Sequence, residues 1–346
     1  MRRAPPLAAA APPPHQLSRP RQGHATRETG TGSVQSAGRP ASPGEQAILA
    51  LPEFETTAAA VAEDRRRYDR LGWVAPIKRP LGWTNIGPKL KLARDALVPH
   101  VCVPAIDPAA LTALRDTLLA GTTGGKAQIT LASSVCMRFI RLKVIGSLLD
   151  ALVEYPDAEL CHVTIVKNGW ILTPEQLEAV TAATIKNQFF SDLKRTGVTG
   201  LAGPFVAFLH GEFDASNGVY ILHFHVMTTR SKAAHMVKAL RALKRAYRPG
   251  QLIKRPIRVS KIGNRPKQAT YLLKGIWFQR SWRLVDGKLK RDRKGQRPNE
   301  PFHSLYLLWL DRHRLRDLTI MNGCWSPKSG GTAAMKQFYL VVMGVG

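Results

Sequence analysis

The segment LHGEFDASNGVYILHFHVMTTR, residues 209 to 230, places two imidazoles one residue apart, at His223 and His225. Side chains alternate along a strand, so both imidazoles point to one face while Phe224 points to the other. Two imidazoles a pleat apart can ligate one metal ion. The run just before them carries His210 and Glu212. If the turn spans Ala215 to Gly218, Asp214 pairs with Val219. His210 then stands opposite His223 and Glu212 opposite Ile221, all on the same face, so a third ligand is within reach. Taken alone, a His-x-His pair equally suits a solvated polar sheet face, and short motifs of this kind arise by chance.

A second chemical signal lies downstream, in RPKQATYLLKGIWF, residues 265 to 278. Read as a helix, Ala269, Leu272, Leu273 and Ile276 form one stripe, and Lys267, Tyr271, Lys274 and Phe278 form a nearly opposite one. Tyr271 is therefore off the apolar face. A phenol with an ordinary pKa of about 10 attacks at neutral pH only beside cations or against a metal-polarised phosphate. Lys267 and Lys274, one turn away on either side, supply such cations. The plainer reading is a surface tyrosine resting its ring on a lysine stem.

These residues need a scaffold, and the chain's patterning supplies one. Residues 1–45 are rich in Pro, Ala, Gly and Ser without hydrophobic period and read as a disordered tail. Residues 46–155 are mostly helical in character. Asp107, Pro108 and Gly121 bracket one helix, and Ser133 or Ser134 opens another through VCMRFIRLKVIGSLLDALVEY. After Asp157, strand and helix patterns alternate. LCHVTIVKN reads as a strand, and Thr173-Pro174 opens a helix that stops at Gly197. PFVAFLHGEF and VYILHFHVM form a hairpin, KAAHMVKALRALKRAY a basic helix and IKRPIRVSKI a strand; the tyrosine helix follows. The order β-α-β-β-α-β-α predicts an α+β fold, a ferredoxin-like split β-α-β layer whose antiparallel sheet carries helices on one face.

The formal net charge of +27 calls for a polyanionic partner, and nucleic acid is the usual one. No apolar stretch approaches the roughly 20 residues that span a bilayer, so no membrane partner is expected. Cys102, Cys136, Cys161 and Cys324 are far apart, which speaks against a disulfide framework or a cysteine zinc site and for a reduced, cytoplasmic compartment.

Three stretches in this order resemble the HUH endonucleases, specifically the single-tyrosine initiators of plasmid rolling-circle replication. HVTIVKN (162 to 168) is similar to the family's first strand, GEFD with LHFHV to its His-hydrophobic-His motif and preceding acidic strand, and YLLK (271 to 274) to its Tyr-x-x-Lys helix. The resemblance covers residues 156–280 and leaves the helical N-terminal region and a basic C-terminal extension, 281–346, unexplained. It implies a divalent metal, Mg²⁺ or Mn²⁺, held by His223, His225 and Glu212, with His210 as the local competitor for the third place. It implies attack by Tyr271 on single-stranded DNA at a replication origin, leaving a 5′-phosphotyrosine and a free 3′-hydroxyl, with Lys274 holding the phosphate or lowering the phenol's pKa. A host helicase and polymerase are the further partners implied. Some relatives place a glutamate one turn before the tyrosine; here that position is Lys267. A second tyrosine beside Tyr271 is missing, which argues against two-tyrosine strand exchange.

Between Lys254 and Arg316 eighteen Lys and Arg face four Asp and Glu, concentrated in KLKRDRKGQR. Such a run is commonly a solvated loop, but beside a nuclease helix it is expected to track phosphates through Lys267, Lys288, Lys290, Arg291, Arg293 and Lys294. Trp277, Phe278 and Trp282 lie close by; they can stack on bases or, for Trp277 above all, belong to a core. FHSLYLLWLDRHRLRDL reads as one helix. Two other functions fit the same residues: a basic nucleic-acid-binding protein that does not cut, with structural histidines, and an HUH transposase.

Overall fold

The computed structural model describes residues 40–72, 104–123, 129–243, 245–285, 288–292, 295–325 and 330–344. Among the described residues four helices come first: α1 (Pro43–Leu49), α2 (Thr57–Leu71), α3 (Pro108–Thr122) and α4 (Ser134–Ala151). Each begins at a side-chain cap, from Ser42, Thr56, Asp107 and Ser133 in turn, whose oxygen takes an otherwise orphaned backbone N–H. Ser42 and Glu45 close a full capping box, so helical order begins inside the segment that composition assigns to the tail. Residues 1–39 lie outside the described residues.

The sheet region follows with β1 (Leu160–Ile165), β2 (Ile171–Leu172), α5 (Pro174–Ala179), α6 (Ala182–Arg195), β3 (Phe205–Asp214), β4 (Val219–Thr229), α7 (Arg230–Ala242), β5 (Ile257–Lys261) and α8 (Arg265–Leu272). The C-terminal part adds β6 (Gln279–Arg280), the hairpin β7 (Trp282–Val285) and β8 (Lys288–Arg291), then α9 (Phe302–Asp311), α10 (Leu315–Leu318), β9 (Thr319–Asn322) and α11 (Ala333–Gly344). Seven strands make one open sheet in the order β5-β1-β4-β3-β6, with β2 alongside β4 and β9 alongside β3. All pairings in it are antiparallel except the short β3–β6 contact. No described helix is long and apolar enough to cross a membrane.

Several expected elements are divided. The helix opened by Thr173 ends at Val180, whose backbone is extended, and Thr181 caps a new one. The 302–318 segment likewise splits into α9 and α10. The basic run is no loop at its start, since Lys288 to Arg291 pair with β7. The tyrosine helix stops at Leu272, because Leu273 leaves helical backbone geometry.

Helices cover both faces of the sheet, not one. Phe224 meets Phe189 of α6, ring centroids 4.7 Å apart, and Phe213 stacks on Phe302 of α9 at 4.3 Å. On the other face Tyr271 of α8 meets His225 at 4.8 Å. The reason is compositional: β3 and β4 are buried almost throughout, so neither face can be left to water. Ile48 and Leu71 of the N-terminal helices, Phe224 of the sheet and Trp309 and Phe338 of the C-terminal helices all belong to one hydrophobic cluster. The regions flanking the sheet are thus packed into its core.

Candidate metal centre and nucleophile

The β3–β4 hairpin sets the site. Asp214 Oδ1 accepts from the backbone N–H of Ser216 and Asn217 and from Asn217 Nδ2, and Gly218 takes the positive φ of 64° that closes the turn. This pins Asp214 opposite Val219, His210 opposite His223 and Glu212 opposite Ile221, the register expected from the sequence. Gly211, between the two donors, admits the Trp277 indole: a Cβ there would lie 2.5 Å from Trp277 Cε3. Trp277 is itself 2 % exposed and stacked on Tyr306, so its role is that of core.

Three imidazoles converge. His210 Nδ1 is 3.3 Å from His223 Nε2, and His223 Nε2 is 3.2 Å from His225 Nε2. Ligands about 2.0–2.1 Å from one ion at octahedral to tetrahedral angles stand roughly 2.8–3.4 Å apart, so these two spacings suit a metal, and all three donor atoms lie within 4.8 Å of one another. Outer partners fix the rings: His223 Nδ1 faces the Ile221 carbonyl at 3.1 Å and His225 Nδ1 faces Thr164 Oγ1 at 3.3 Å. Protonation of those Nδ1 atoms leaves both Nε2 lone pairs for an ion. Burial, then the neighbouring imidazoles, holds His210 and His225 well below the ordinary histidine range, so both are neutral at pH 7 as ligands must be.

The histidine that converges with His223 and His225 as a candidate third donor is His210. Glu212 shares the face, but its Oε2 accepts from Arg280 Nε at 3.0 Å, with both side chains partly buried. Sequence could place both residues opposite β4; it could not foresee that β6 would bring a guanidinium to one of them. His210→Ala is therefore expected to weaken metal binding by more than the roughly 10–100-fold that loss of an outer partner costs. Glu212→Gln should cost less, and the opposite ranking in a metal titration would return the third place to Glu212.

Tyr271 sits directly beside this centre. Its ring is 43 % exposed and meets His225 edge-on, with His162 on β1 5.8 Å away. Lys274, just past the end of α8, bends back so that Nζ lies 3.3 Å from the Tyr271 ring centroid. This ammonium rests on the ring face. Burial raises the Tyr271 pKa, Arg280 and Arg258 oppose that, and Glu212 adds to it. Lys267 stands one turn earlier, but its ammonium is 2.9 Å from Glu53.

Burial pushes Lys274 down from 10.5 to about 7. Between those values the unfolded chain binds the extra proton, so the cost of the buried ammonium is full below pH 7 and fades towards pH 10.5. Lys274→Met should accordingly melt above wild type at pH 7, with the gap closing by pH 10. A gap independent of pH would show that burial does not strain this ammonium.

Among the other basic residues singled out by sequence, Lys288, Lys290 and Arg291 lie on β8, and Arg293 and Lys294 fall outside the described residues. Sequence reasoning passed over His162, Arg258 and Arg280. His162 and Thr164 alternate on β1, and Thr164 pairs with His225 on one side and Arg258 on the other, so period two and register together would have found His162 and Arg258, though not Arg280 on β6. His162 is buried, its Nε2 has no partner, and burial with the Lys274 and Arg258 cations lowers its pKa to about 4. Comparison with protein-family models, with characterised proteins and with solved structures gives no match.

Proposed function

We propose that this chain is a metal-dependent, single-tyrosine endonuclease of the HUH type that nicks single-stranded DNA, as initiators of rolling-circle replication do. The observation that carries the reading is the convergence, from three sheet and helix segments, of three buried imidazoles, one half-exposed tyrosine ring in contact with His225, and the Lys274 ammonium. The strand order β5-β1-β4-β3, with α6 and α7 as crossovers, is that of a split β-α-β layer and supports it.

His210, His223 and His225 would hold the ion, which supplies Lewis-acid polarisation of a phosphate. Three imidazoles and no carboxylate make a softer donor set than Mg²⁺ favours, so Mn²⁺ is expected to activate better than Mg²⁺. The Tyr271 oxygen attacks phosphorus, the P–O3′ bond breaks, and the departing 3′-oxygen takes up a proton. The products are a 5′-phosphotyrosine and a 3′-hydroxyl able to prime synthesis. Lys274, over the ring, and Arg280, whose charge acts on the phenol, offer positive charge to the phosphate. The burial of Lys274 favours its neutral form until a phosphate arrives to restore the charge.

The test is incubation of the full chain with end-labelled single-stranded DNA from the vicinity of its own gene, with Mn²⁺, with Mg²⁺ and with chelator. A metal-dependent adduct on denaturing gels supports the reading. Salt-sensitive binding with no adduct under any condition would make this a binding protein with structural histidines.

A further inference from the structure

Four cations stand on or beside two packed helices, α8 and α4: Lys267 and Lys274 flank the tyrosine on and just beyond α8, and Arg138 and Arg141 lie on α4, with Arg141 near enough to Lys274 to help lower its pKa. The chain's own Pro52-Glu53-Phe54-Glu55, which joins α1 to α2, lies across three of them. Glu53 Oε1 is 2.9 Å from Lys267 Nζ. The Glu55 carboxylate accepts from Arg141 Nη1 on both oxygens, at 2.6 and 2.5 Å, and the Glu55 backbone oxygen accepts from Arg138 Nε at 2.8 Å. Between the two acids, the Phe54 ring carries the guanidinium carbons of Arg138 and Arg141 at 5.3 and 5.1 Å from its centroid.

An anion, a flat ring and a second anion repeat the chemistry of phosphate, base and phosphate, and arginines against a ring are one way single-stranded bases are held. We infer that Arg138, Arg141 and Lys267 form a phosphate-binding surface continuous with the tyrosine site, and that Glu53-Phe54-Glu55 covers it as an acidic stand-in for the nucleic-acid strand. This rests on the single-stranded substrate proposed above. The cover is held loosely at one end: the Lys267 and Glu53 side chains are 63 % and 43 % exposed, and such pairs contribute little and are screened by salt. Phe54 is buried in the core cluster, so only the carboxylates need swing aside for phosphates to take their cations. With 51 Lys and Arg against 24 Asp and Glu, acids are scarce, and two of them stand here.

The experiment measures fluorescence anisotropy of a labelled oligothymidylate of about 20 nucleotides, longer than one compact single-strand site, across a salt series with the full chain. Glu53→Gln with Glu55→Gln frees two cationic positions. Each new phosphate contact steepens the fall of log affinity with log salt by about 0.7, so the slope should grow by about 1.4, with several-fold tighter binding at low salt. Asp116→Asn with Glu154→Gln neutralises two exposed acids elsewhere and should keep the wild-type slope. Adding Arg141→Gln and Lys267→Gln to the first pair should return the slope to that of wild type. Glu53→Gln alone, at an exposed pair that leaves the fold untouched, should give about half the effect. Equal slopes for Glu53→Gln, the double variant and the control overturn the inference while leaving the nuclease reading intact. No binding by wild type or any variant overturns the single-stranded reading itself.

Discussion

Tyr271→Phe should form no covalent protein–DNA adduct while binding a single-stranded oligonucleotide as wild type does. The substitution removes one oxygen and keeps the ring, so the contacts with His225 and with the Lys274 ammonium remain. At a position 43 % exposed, the change in stability should stay within about 0.5 kcal/mol. The loss of adduct should be complete within detection, at least about 10⁴-fold, as for removal of a covalent nucleophile. Two other tyrosines near basic sequence do not offer a substitute. Tyr247 is buried, donates to Asp192 at 2.8 Å and is pushed far up in pKa; Tyr306 is fully buried against Trp277. Lys274→Ala should slow adduct formation rather than abolish it, because it assists at the phosphate and does not bond to it covalently. An adduct that persists in the Phe variant would place the nucleophile elsewhere.

Replacing His223 or His225 by alanine should abolish metal-dependent nicking, with a loss on the order of 10³-fold or more, yet spare salt-sensitive DNA binding. His223 Nε2 stands between the other two donor nitrogens, at 3.3 and 3.2 Å, so its removal leaves His210 and His225 without their common neighbour. His225 also touches Tyr271, and its loss should disturb the nucleophile as well as the ion. Binding survives because the positive surface is spread over the whole chain, whose net charge is +27. The readouts are metal affinity by titration and adduct yield with Mn²⁺, each beside oligonucleotide binding. Nicking that continues in either alanine variant, or in the wild type with chelator, would remove the metal from the mechanism.

Local rules carried the reading of this protein as far as their range allows. Strand alternation put His223 and His225 on one face, and turn chemistry at Asp214 and Gly218 set His210 and Glu212 opposite β4 in the observed register. Capping residues marked the starts of α3, α4 and α5, and the helical stripe placed Tyr271 off the apolar face, where it is half exposed. Each of these follows from neighbours a few residues away. What sequence could not reach were meetings between distant segments. Arg280, 68 residues beyond Glu212, engages this carboxylate, while His210 is the side chain that converges with His223 and His225. The early end of α8 lets Lys274 fold back onto the tyrosine ring, where an unbroken helix would have put it one turn away. Glu53 and Glu55, from a segment whose composition announced no chemistry, pair with Lys267 of α8 and Arg141 of α4. A side chain's charge and spacing set what it can do, but its partner is chosen by packing, and packing here joins residues that stand more than two hundred positions apart, as in the bond from Arg67 on α2 to the Gly275 carbonyl beside Lys274, 208 positions on.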